Sequence, residues 1–219
     1  MTIKNTSYYG IYDAWGKMAT LNLDPGAKIH GEQLVREDGK EYRVWDPRRS
    51  KLGAAVMKDL QTWPFEKGTR VLYLGAAAGV TPSFISDIVG EEGRVYAVEF
   101  SPECIKELVL RCENRKNIWP ILADARLPQK YDYVGEVDVL FEDVAQPDQD
   151  RILVINARYL KKGGIAMIAV KSQSIDVTLK PHEVYKKVIE GLSDTFEILE
   201  KIELDPYEKH HLFIVCRKK

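Results

Sequence analysis

The sequence predicts an α/β protein with a mostly parallel β-sheet, preceded by a small β domain. An apolar strand over residues 69–74 ends in the small-residue turn 75–79, and an amphipathic helix follows at once. Farther along the chain, apolar strand-like runs alternate with helical patterns, an arrangement typical of βαβ units. The first 49 residues instead carry β-type runs without helical periodicity. We therefore expect a small N-terminal β domain over residues 1–49 and a larger α/β domain over residues 50–219.

The N-terminal domain is expected to contain a β-hairpin at Asp38-Gly39. This dipeptide separates two strand-like runs, 33–36 and 41–45, and Asp-Gly between such runs is a strong local hairpin signal. From Ser50, a favourable N-cap residue, the pattern becomes helical. The apolar face of that helix consists of Leu52, Ala55, Val56 and Leu60. The change of pattern at Ser50 therefore marks the boundary between the two domains.

The turn after the first strand of the larger domain has the features of a ligand-binding turn. Gly75 and Gly79 allow backbone N–H groups to approach a ligand closely. Thr81 is a good N-cap residue and Pro82 suits the first helical position, so a helix is expected to begin beside the glycines. Because a helix N-terminus favours negative charge, the turn suits an anionic group of a ligand, here a carboxylate rather than a phosphate.

The same turn disfavours a nicotinamide dinucleotide. The dinucleotide fingerprint has glycines where this chain has Ala77 and Val80. A tight strand-to-helix turn without any ligand is the alternative interpretation of this stretch. The residues at the ends of the later strands weigh against that alternative.

The rest of the chain supplies the other elements of the sheet. Strands are expected at 94–100, 117–122, 137–141 and 164–170, with helices at 101–110, 147–160 and 181–192. The last of these strands is apolar throughout, which suits a sheet covered on both faces. Two strand-like runs, 196–204 and 212–216, follow with only a short link between them. So short a link implies a hairpin, so one antiparallel strand is expected near the C-terminus.

Residues at the ends of two strands indicate nucleoside binding, because ligands of parallel sheets bind at the carboxyl ends of the strands. Glu99 follows the second strand, where its carboxylate can accept hydrogen bonds from ribose hydroxyls, and Phe100 can stack on a base. Asp124, next to Ala125, follows the third strand and can bind an adenine amino group. Taken singly, each is equally consistent with a solvated strand terminus.

Asp143 and Lys171 follow the fourth and fifth strands, so we expect their side chains to converge at the mouth of the same site. A carboxylate beside a lysine can be a plain ion pair or a proton-handling couple in which the pKa of the lysine is perturbed. The position at the mouth of a ligand site favours the second interpretation.

Composition limits the class of protein. With 32 Lys and Arg against 33 Asp and Glu, and only short basic runs at 47–51 and 217–219, the formal charge of −1 argues against tight nucleic-acid binding by the chain alone. Cys104, Cys112 and Cys216 form no CxxC pair, so neither a disulfide framework nor a zinc site is expected. Because the chain also has no signal-peptide pattern and no membrane-spanning run, a cytoplasmic location is expected.

Four blocks of the chain, 47–55, 141–147, 169–176 and 206–211, resemble the archaeal members of the fibrillarin family. The resemblance covers nearly the whole chain and implies a Rossmann-like sheet of the S-adenosylmethionine-dependent methyltransferases. It also implies transfer of a methyl group to ribose 2′-hydroxyls of rRNA and tRNA, directed by a box C/D guide RNA in a ribonucleoprotein particle. On this resemblance, residues 50–219 form the methyltransferase domain.

The resemblance also implies which residues hold the cofactor. The family surrounds S-adenosylmethionine at the positions that are here Gly75, Ala77, Thr81, Pro82, Glu99, Phe100, Asp124, Ala125, Asp143, Val144, Ala145 and Gln146. One departure concerns Ala78 and Val80, where the family usually has Ser and Thr. A side-chain contact to the cofactor is therefore in doubt there, whereas backbone contacts are not.

Lys51, Asp143, Lys171 and His211 lie where the resemblance places the catalytic group. A ribose hydroxyl is a weak nucleophile, and a partly desolvated lysine near a cationic cofactor can serve as its general base, which makes Lys171 the candidate. Asp143 would orient that amine or the hydroxyl, and Lys51 would supply positive charge for the developing alkoxide or hold a phosphate. No metal ion is expected. The family usually has an acidic residue at His210, so the sequence leaves open which histidine faces the cleft.

The partners implied by the resemblance are box C/D guide RNA, the target rRNA or tRNA, a Nop-family scaffold protein and a kink-turn-binding protein of ribosomal type. No membrane partner is expected. A catalytically silent subunit of an RNA–protein particle is one alternative, and an NAD-dependent oxidoreductase is another. Titration with S-adenosylmethionine and with NAD discriminates between the cofactors, and a methyl-transfer assay discriminates between an enzyme and a silent subunit.

Overall fold

The computed structural model describes residues 2–219, which form two β-sheets. The N-terminal sheet is antiparallel, in the order β1-β2-β3-β5-β4, and consists of β1 (Lys4–Asn5), β2 (Ile11–Ala14), β3 (Lys17–Leu21), β4 (Leu34–Glu37) and β5 (Lys40–Val44). The predicted hairpin at Asp38-Gly39 is confirmed, since both residues have positive φ, 50° and 74°. A second hairpin at Trp15-Gly16, with φ of 57° and 83°, was missed by the sequence analysis.

The larger sheet has the order β11-β12-β10-β9-β6-β7-β8. Its strands are β6 (Arg70–Leu74), β7 (Arg94–Glu99), β8 (Ile118–Leu122), β9 (Val137–Glu142), β10 (Leu160–Lys171), β11 (Phe196–Glu203) and β12 (His211–Lys218). Strands β6 to β10 are parallel to their neighbours in that set, and β12 is antiparallel to both β10 and β11. The mostly parallel sheet with one antiparallel strand near the C-terminus is thereby confirmed.

Helices cover both faces of this sheet. They are α1 (Lys51–Met57), α2 (Val80–Val89), α3 (Pro102–Arg111), α4 (Gln149–Asn156), α5 (Ser172–Ile175) and α6 (Pro181–Leu192). Alternate residues of β6 enter opposite cores: Val71 packs in the core with Phe84 of α2, and Leu72 in the core with Ile152 of α4. No helix within residues 2–219 is both long and apolar enough to cross a membrane.

Several boundaries differ from the sequence prediction, since α1 ends at Met57, before Leu60, and α4 ends at Asn156 rather than at residue 160. Two further differences lie at the starts of α2 and β10. Thr81 is not the N-cap: α2 begins two residues earlier than expected, at Val80, and its N-cap is Gly79 with φ of 88°. The Thr81 hydroxyl instead donates to Ser50 Oγ at 3.0 Å, a tertiary contact that the local pattern does not reveal. Pro82 is tolerated at the third helical position because first-turn N–H groups lack intrahelical acceptors. The other difference is in β10, which extends back to Leu160, beyond a register shift.

A buried ion-pair network fixes α2 to the N-terminal sheet. The Arg43 guanidinium on β5 lies 2.9 Å from Asp87 Oδ2 on α2 and 2.6 Å from Glu32 Oε1, and its side chain is fully buried. Arg115 approaches the other Asp87 oxygen at 2.5 Å. Burial raises the pKa of Glu32, but Arg43 and backbone N–H donors outweigh it and lower the pKa to about 2. The helix that follows the Gly75–Gly79 turn is therefore anchored to the N-terminal sheet by charge.

Candidate active site

A cavity of about 340 Å³ opens at the carboxyl ends of β6, β7, β8 and β9, within the size range of small-molecule sites. Its lining consists of Gly75, Ala77, Val98, Glu99, Phe100, Cys104, Ala123, Asp124, Ala125, Arg126, Asp143, Val144, Ala145, Gln146 and Ile152. Every residue that the sequence analysis placed around a cofactor is among them except Thr81 and Pro82, which are buried in α2. The sheet thus brings together residues that are up to 77 positions apart, from Gly75 to Ile152.

The turn at the floor of the cavity requires glycine at its first position. Gly75 has φ of 82° and donates its N–H to Val98 O at 2.9 Å. A Cβ atom at Gly75 would lie 2.5 Å from the carbonyl oxygen of Asp143, so no side chain fits there without moving the backbone at the end of the neighbouring strand β9. The turn after β6 and the end of β9 are therefore in direct contact.

Glu99 is held in place by backbone donors. Its carboxylate accepts hydrogen bonds from the N–H groups of Ala77 at 2.8 Å, Phe100 at 2.9 Å and Ser101 at 2.9 Å. A carboxylate has about four acceptor positions, so about one is left for a ligand donor such as a ribose hydroxyl. The adjacent Phe100 ring is 69% exposed, which leaves a face for stacking on a base.

Arg126 also lines the cavity and was missed by the sequence analysis. Its guanidinium donates to Asp148 at 2.9 and 3.0 Å and to Gln146 Oε1 at 2.6 Å. The hydrogen bonds to Asp148 raise the pKa of Arg126 and lower that of Asp148. Its backbone N–H donates to Asp124 Oδ1 at 2.9 Å. These contacts fix the side chains of Asp124 and Gln146, two of the residues predicted to bind a cofactor.

Asp143 pairs with Lys51 and not with Lys171, which corrects the expected convergence. Lys51 Nζ lies 3.2 Å from Asp143 Oδ1, and the two side chains are 26% and 19% exposed. Burial alone lowers the pKa of Lys51, but the carboxylates of Asp143 and Glu208 outweigh it and the pKa is raised. Lys51 is therefore a firmly protonated cation. It is placed by Ser50, whose Oγ caps α1 by accepting from the Gly53 N–H at 3.2 Å.

Lys171 ends β10, directly opposite His211 on the antiparallel β12. It forms no ion pair in the part of the chain that the structure describes, residues 2–219. Its backbone N–H donates to Gln149 Oε1 at 3.2 Å, and the Gln149 amide also donates to the Val144 carbonyl. The buried Gln149 side chain therefore links the ends of β9 and β10. Sequence reasoning gave no role to this glutamine.

His211, and not His210, belongs to this cluster. The His211 ring is buried, and its Nδ1 lies 2.8 Å from the Lys209 carbonyl. Because a carbonyl only accepts, Nδ1 carries the proton and Nε2 is left as an acceptor. Burial and the Lys51 charge lower the pKa of His211, although the Lys209 carbonyl and nearby carboxylates oppose them. His210 is exposed, with φ of 60°.

Glu142 is a buried carboxyl group beside the cluster. It lies in β9 between Leu74 of β6 and Ile168 of β10, and is fully buried. Neither carboxyl oxygen has a hydrogen-bond partner within residues 2–219. Burial, together with the carboxylates of Asp150, Asp148 and Asp143, raises the pKa of Glu142 well above its usual value. Both effects favour the protonated form of this carboxyl group.

The site combines a cavity suited to a nucleoside with an adjacent cluster of polar side chains. Glu99, Phe100 and Asp124 line the cavity together with Asp143, which pairs with Lys51. Such a site can hold a nucleoside ligand and stabilise negative charge that develops on an attacking oxygen. Among residues 2–219, no group of three or more His, Cys, Asp and Glu side chains is placed to hold a metal ion.

Comparison with known proteins gives full-length matches. The family model described as Fibrillarin matches residues 3–219. A fibrillarin-like rRNA/tRNA 2′-O-methyltransferase of Thermococcus sibiricus is 51% identical over 225 residues, with 100% of each chain covered. The chain is thus similar along its whole length to a protein named for RNA methylation.

Two solved structures are also similar over nearly the full chain. Aeropyrum pernix fibrillarin in complex with natively bound S-adenosyl-L-methionine has a TM-score of 0.91 and 44% identity, covering 99% of this chain and 98% of the other. The chain in a crystal structure of a fibrillarin/Nop5p complex has a TM-score of 0.89 and 38% identity, covering 98% and 100%. Both similarities extend through the N-terminal sheet and the larger sheet.

Proposed function

The chain belongs to the fibrillarin family, and we propose that it transfers a methyl group from S-adenosylmethionine to ribose 2′-hydroxyls of rRNA and tRNA. The observation that carries this function is the Lys51–Asp143 pair at the edge of the cavity that Glu99 and Phe100 line. A nucleoside cofactor and a polar cluster for activating a hydroxyl are thereby adjacent. We propose the division at residues 49 and 50 as the boundary between the N-terminal β domain and the methyltransferase domain.

The cavity fits S-adenosylmethionine. Glu99 has an acceptor position left for a ribose hydroxyl, and the exposed Phe100 ring offers a face for the adenine. Asp124 would accept from the adenine amino group, and backbone groups of the 75–79 turn would face the methionine end. When bound, S-adenosylmethionine supplies an electrophilic methyl group on a sulfonium. Thr81 and Pro82 would act by shaping α2 and its first turn, since they do not line the cavity.

The residues of the polar cluster have separate proposed roles. Lys51, held protonated by Asp143, would stabilise negative charge on the ribose oxygen and is a poor proton acceptor. Lys171 is our candidate general base, because no carboxylate within residues 2–219 pairs with it and fixes it as a cation. His211, with its Nε2 available as an acceptor, is the second candidate. Methyl transfer is an in-line displacement, so holding the hydroxyl in line also contributes to the rate.

RNA recognition is proposed to depend on partners. A chain at formal charge −1 cannot neutralise many phosphates by itself. A Nop-family scaffold protein would dock on it, as in the fibrillarin/Nop5p complex. We further propose that a kink-turn-binding protein anchors a box C/D guide RNA, whose base pairing selects the target ribose. The proposed location of the particle is the cytoplasm.

The test is a methyl-transfer assay with labelled S-adenosylmethionine. We expect the isolated chain to bind S-adenosylmethionine, not to bind NAD, and to methylate RNA negligibly. Addition of the Nop-family protein, the kink-turn-binding protein and a guide RNA should produce methylation at the ribose that the guide selects. A particle that assembles with the wild-type chain yet transfers no methyl group would support a silent structural subunit instead.

A further inference from the structure

Two exposed arginines lie next to the catalytic cluster and have no role in the chemistry proposed above. Arg48 and Arg49 form the 3₁₀ turn that immediately precedes Ser50 and Lys51. Because Lys51 contacts Asp143, this turn borders the mouth of the site. The arginines belong to the basic run 47–51 of the sequence.

These two guanidinium groups are not neutralised by the protein. Most arginines of the chain are held by carboxylates; those that form ion pairs are Arg36, Arg43, Arg111, Arg115, Arg126, Arg158 and Arg217. Neither Arg48 nor Arg49 forms an ion pair with any residue in the described range 2–219. At the rim of the site, the guanidinium groups of Arg48 and Arg49 are therefore available to an anionic ligand, although Glu208 adds negative charge beside Lys51 and His211.

The loop between β11 and β12 completes this rim. The Arg48 guanidinium lies 5.9 Å from the centroid of the Tyr207 ring, so the turn and the loop are in contact. Lys209 on the same loop is exposed and forms no ion pair within residues 2–219. The loop leads directly into His211, beside Lys51 and Asp143. We call Arg48, Arg49 and Lys209 the basic rim.

We propose that the basic rim binds phosphates of the RNA strand that carries the target ribose. This assignment rests on the proposed function, because it takes the ribose to lie at the Lys51–Asp143 pair. Every ribose within a strand is flanked by phosphates, so a site that holds its 2′-hydroxyl must accommodate those phosphates close by. A guanidinium matches a phosphate in a bidentate geometry, and the Tyr207 ring holds Arg48 beside the entrance. The rim would thus orient the strand after the guide RNA has selected it.

Binding of RNA by the isolated chain provides a test that does not require methyl transfer. The probe is a fluorescein-labelled oligouridylate, measured by fluorescence anisotropy at several salt concentrations, with low ionic strength as the starting point. In the double variant Arg48→Gln/Arg49→Gln we expect affinity to fall about tenfold at low salt. The slope of log K against log[salt] should become shallower by about 1.4, which is about 0.7 for each of two single-strand phosphates that the variant no longer neutralises.

Matched variants separate a specific rim from general charge. The control variant Lys106→Gln/Lys116→Gln removes the same charge from exposed positions on α3 and just beyond it. It should leave the affinity within about twofold of wild type and the slope within about 0.3. Arg48→Lys/Arg49→Lys should restore most of the slope but less of the affinity, because lysine lacks the bidentate fork. S-adenosylmethionine binding and the thermal midpoint, measured in parallel, should not change in any of these variants.

The proposal would be overturned if the Arg48/Arg49 and Lys106/Lys116 variants lost affinity for oligouridylate equally. It would also be overturned if the Arg48/Arg49 variant bound oligouridylate as tightly as wild type. In the assembled particle, the Arg48→Gln/Arg49→Gln variant should need about tenfold more target RNA for half-maximal single-turnover methylation. If the wild-type particle transfers no methyl group while the rim still governs oligouridylate binding, the proposed function fails and the RNA-binding assignment stands.

Discussion

The ammonium nitrogen of Lys51 lies 3.2 Å from Asp143 Oδ1, and this pair joins the first turn of α1 to the end of β9. Both side chains are partly buried, so the pair is less screened than an ion pair at the surface. A cation that is held protonated at the mouth of a cavity is suited to stabilising an oxyanion rather than to removing a proton. The proposed roles, Lys51 as charge stabiliser and Lys171 as general base, rest on this contact.

The proposed catalytic roles are tested by substituting Lys51, Asp143 and Lys171 one at a time. Lys51→Ala, Asp143→Asn and Lys171→Ala should each lower the single-turnover methyl-transfer rate of the assembled particle by roughly a hundredfold or more, the range for loss of acid–base or charge stabilisation. The pH–rate profile should distinguish the two lysines. Loss of a general base flattens the rise of the rate with pH, whereas loss of a charge stabiliser lowers the rate at every pH.

The control for these variants is cofactor affinity, measured by calorimetry. We expect S-adenosylmethionine to bind the Lys51 and Lys171 variants with nearly unchanged affinity, because neither lysine lines the cavity. Lys58→Ala, an exposed lysine at the other end of α1, should leave the rate within about twofold. A Lys171→Ala particle at near wild-type rate would move the base assignment to His211.

Cofactor choice is tested at Glu99. Glu99→Ala removes the acceptor for a ribose hydroxyl and also leaves the Ala77, Phe100 and Ser101 N–H groups without their partner. We expect S-adenosylmethionine binding to weaken by about 1–3 kcal/mol, the scale for unpaired polar groups, and NAD to give no heat of binding to either protein. Glu107→Ala on the solvent face of α3 is the matched control. Equal affinity in the Glu99 variant and wild type would remove the ribose role.

The buried network between the two sheets predicts a large effect on stability. Arg43→Ala leaves Glu32 and Asp87 short of a compensating charge in the interior and should lower the free energy of unfolding by about 3–5 kcal/mol. Arg36→Ala removes a neighbouring ion pair to Glu41 whose arginine side chain is 75% exposed, and should cost at most about 1 kcal/mol. Urea unfolding of both variants measures the difference. Two separate transitions in the wild-type chain would contradict a network that couples the sheets.

Glu142 predicts a specific dependence of stability on pH. Its pKa is raised in the folded protein, so the native state binds the proton more tightly than the unfolded chain above the ordinary pKa of a glutamic acid. The contribution of Glu142 to the free energy of unfolding is therefore fully present below pH about 4.3. It is lost as the pH rises toward the native pKa, by about 1.4 kcal/mol per pH unit.

The variant Glu142→Gln has a similar shape and no such titration. We expect its free energy of unfolding relative to wild type to increase as the pH rises above about 4.3, measured by urea unfolding at a series of pH values. The Glu142 carboxyl has no partner within residues 2–219, so its replacement breaks no hydrogen bond there. A difference in the free energy of unfolding between the variant and wild type that stays constant with pH would show that Glu142 is ionised or solvated.

Much of the fold is predictable from local pattern, because strands and turns leave short-range signals. Asp38-Gly39 forms the expected hairpin since both residues adopt positive φ readily. Ser101 caps α3 as its position before Pro102 indicates, accepting from the Cys104 N–H at 3.2 Å. The predicted start of α2 was wrong because the Thr81 hydroxyl donates a hydrogen bond to Ser50, a residue 31 positions away in sequence.

The site is less predictable, because its contacts join distant elements. The order of the strands placed Glu99, Phe100 and Asp124 at one edge, and these residues do line the cavity. Which lysine reaches Asp143 depends on the packing of α1, which no strand-end rule describes. Arg126 carries no motif, and its role is visible only through its hydrogen bonds to Asp148 and Gln146. That His211 is buried and His210 exposed follows from pairing with β10.

The contact between Gly75 and Asp143 has a consequence for anyone who wishes to redesign this enzyme. A side chain at position 75 would have to displace the carbonyl of Asp143, which a Cβ atom would approach to 2.5 Å. A substitution at position 75 would therefore shift the backbone of Asp143 and disturb the lining of the cavity at the same time. For directed evolution, position 75 is therefore restricted to glycine whatever residue stands at 143, because the clash is with backbone atoms. Libraries aimed at new sulfonium donors should keep Gly75 fixed and diversify Phe100 and Asp124, which line the cavity at the ends of other strands.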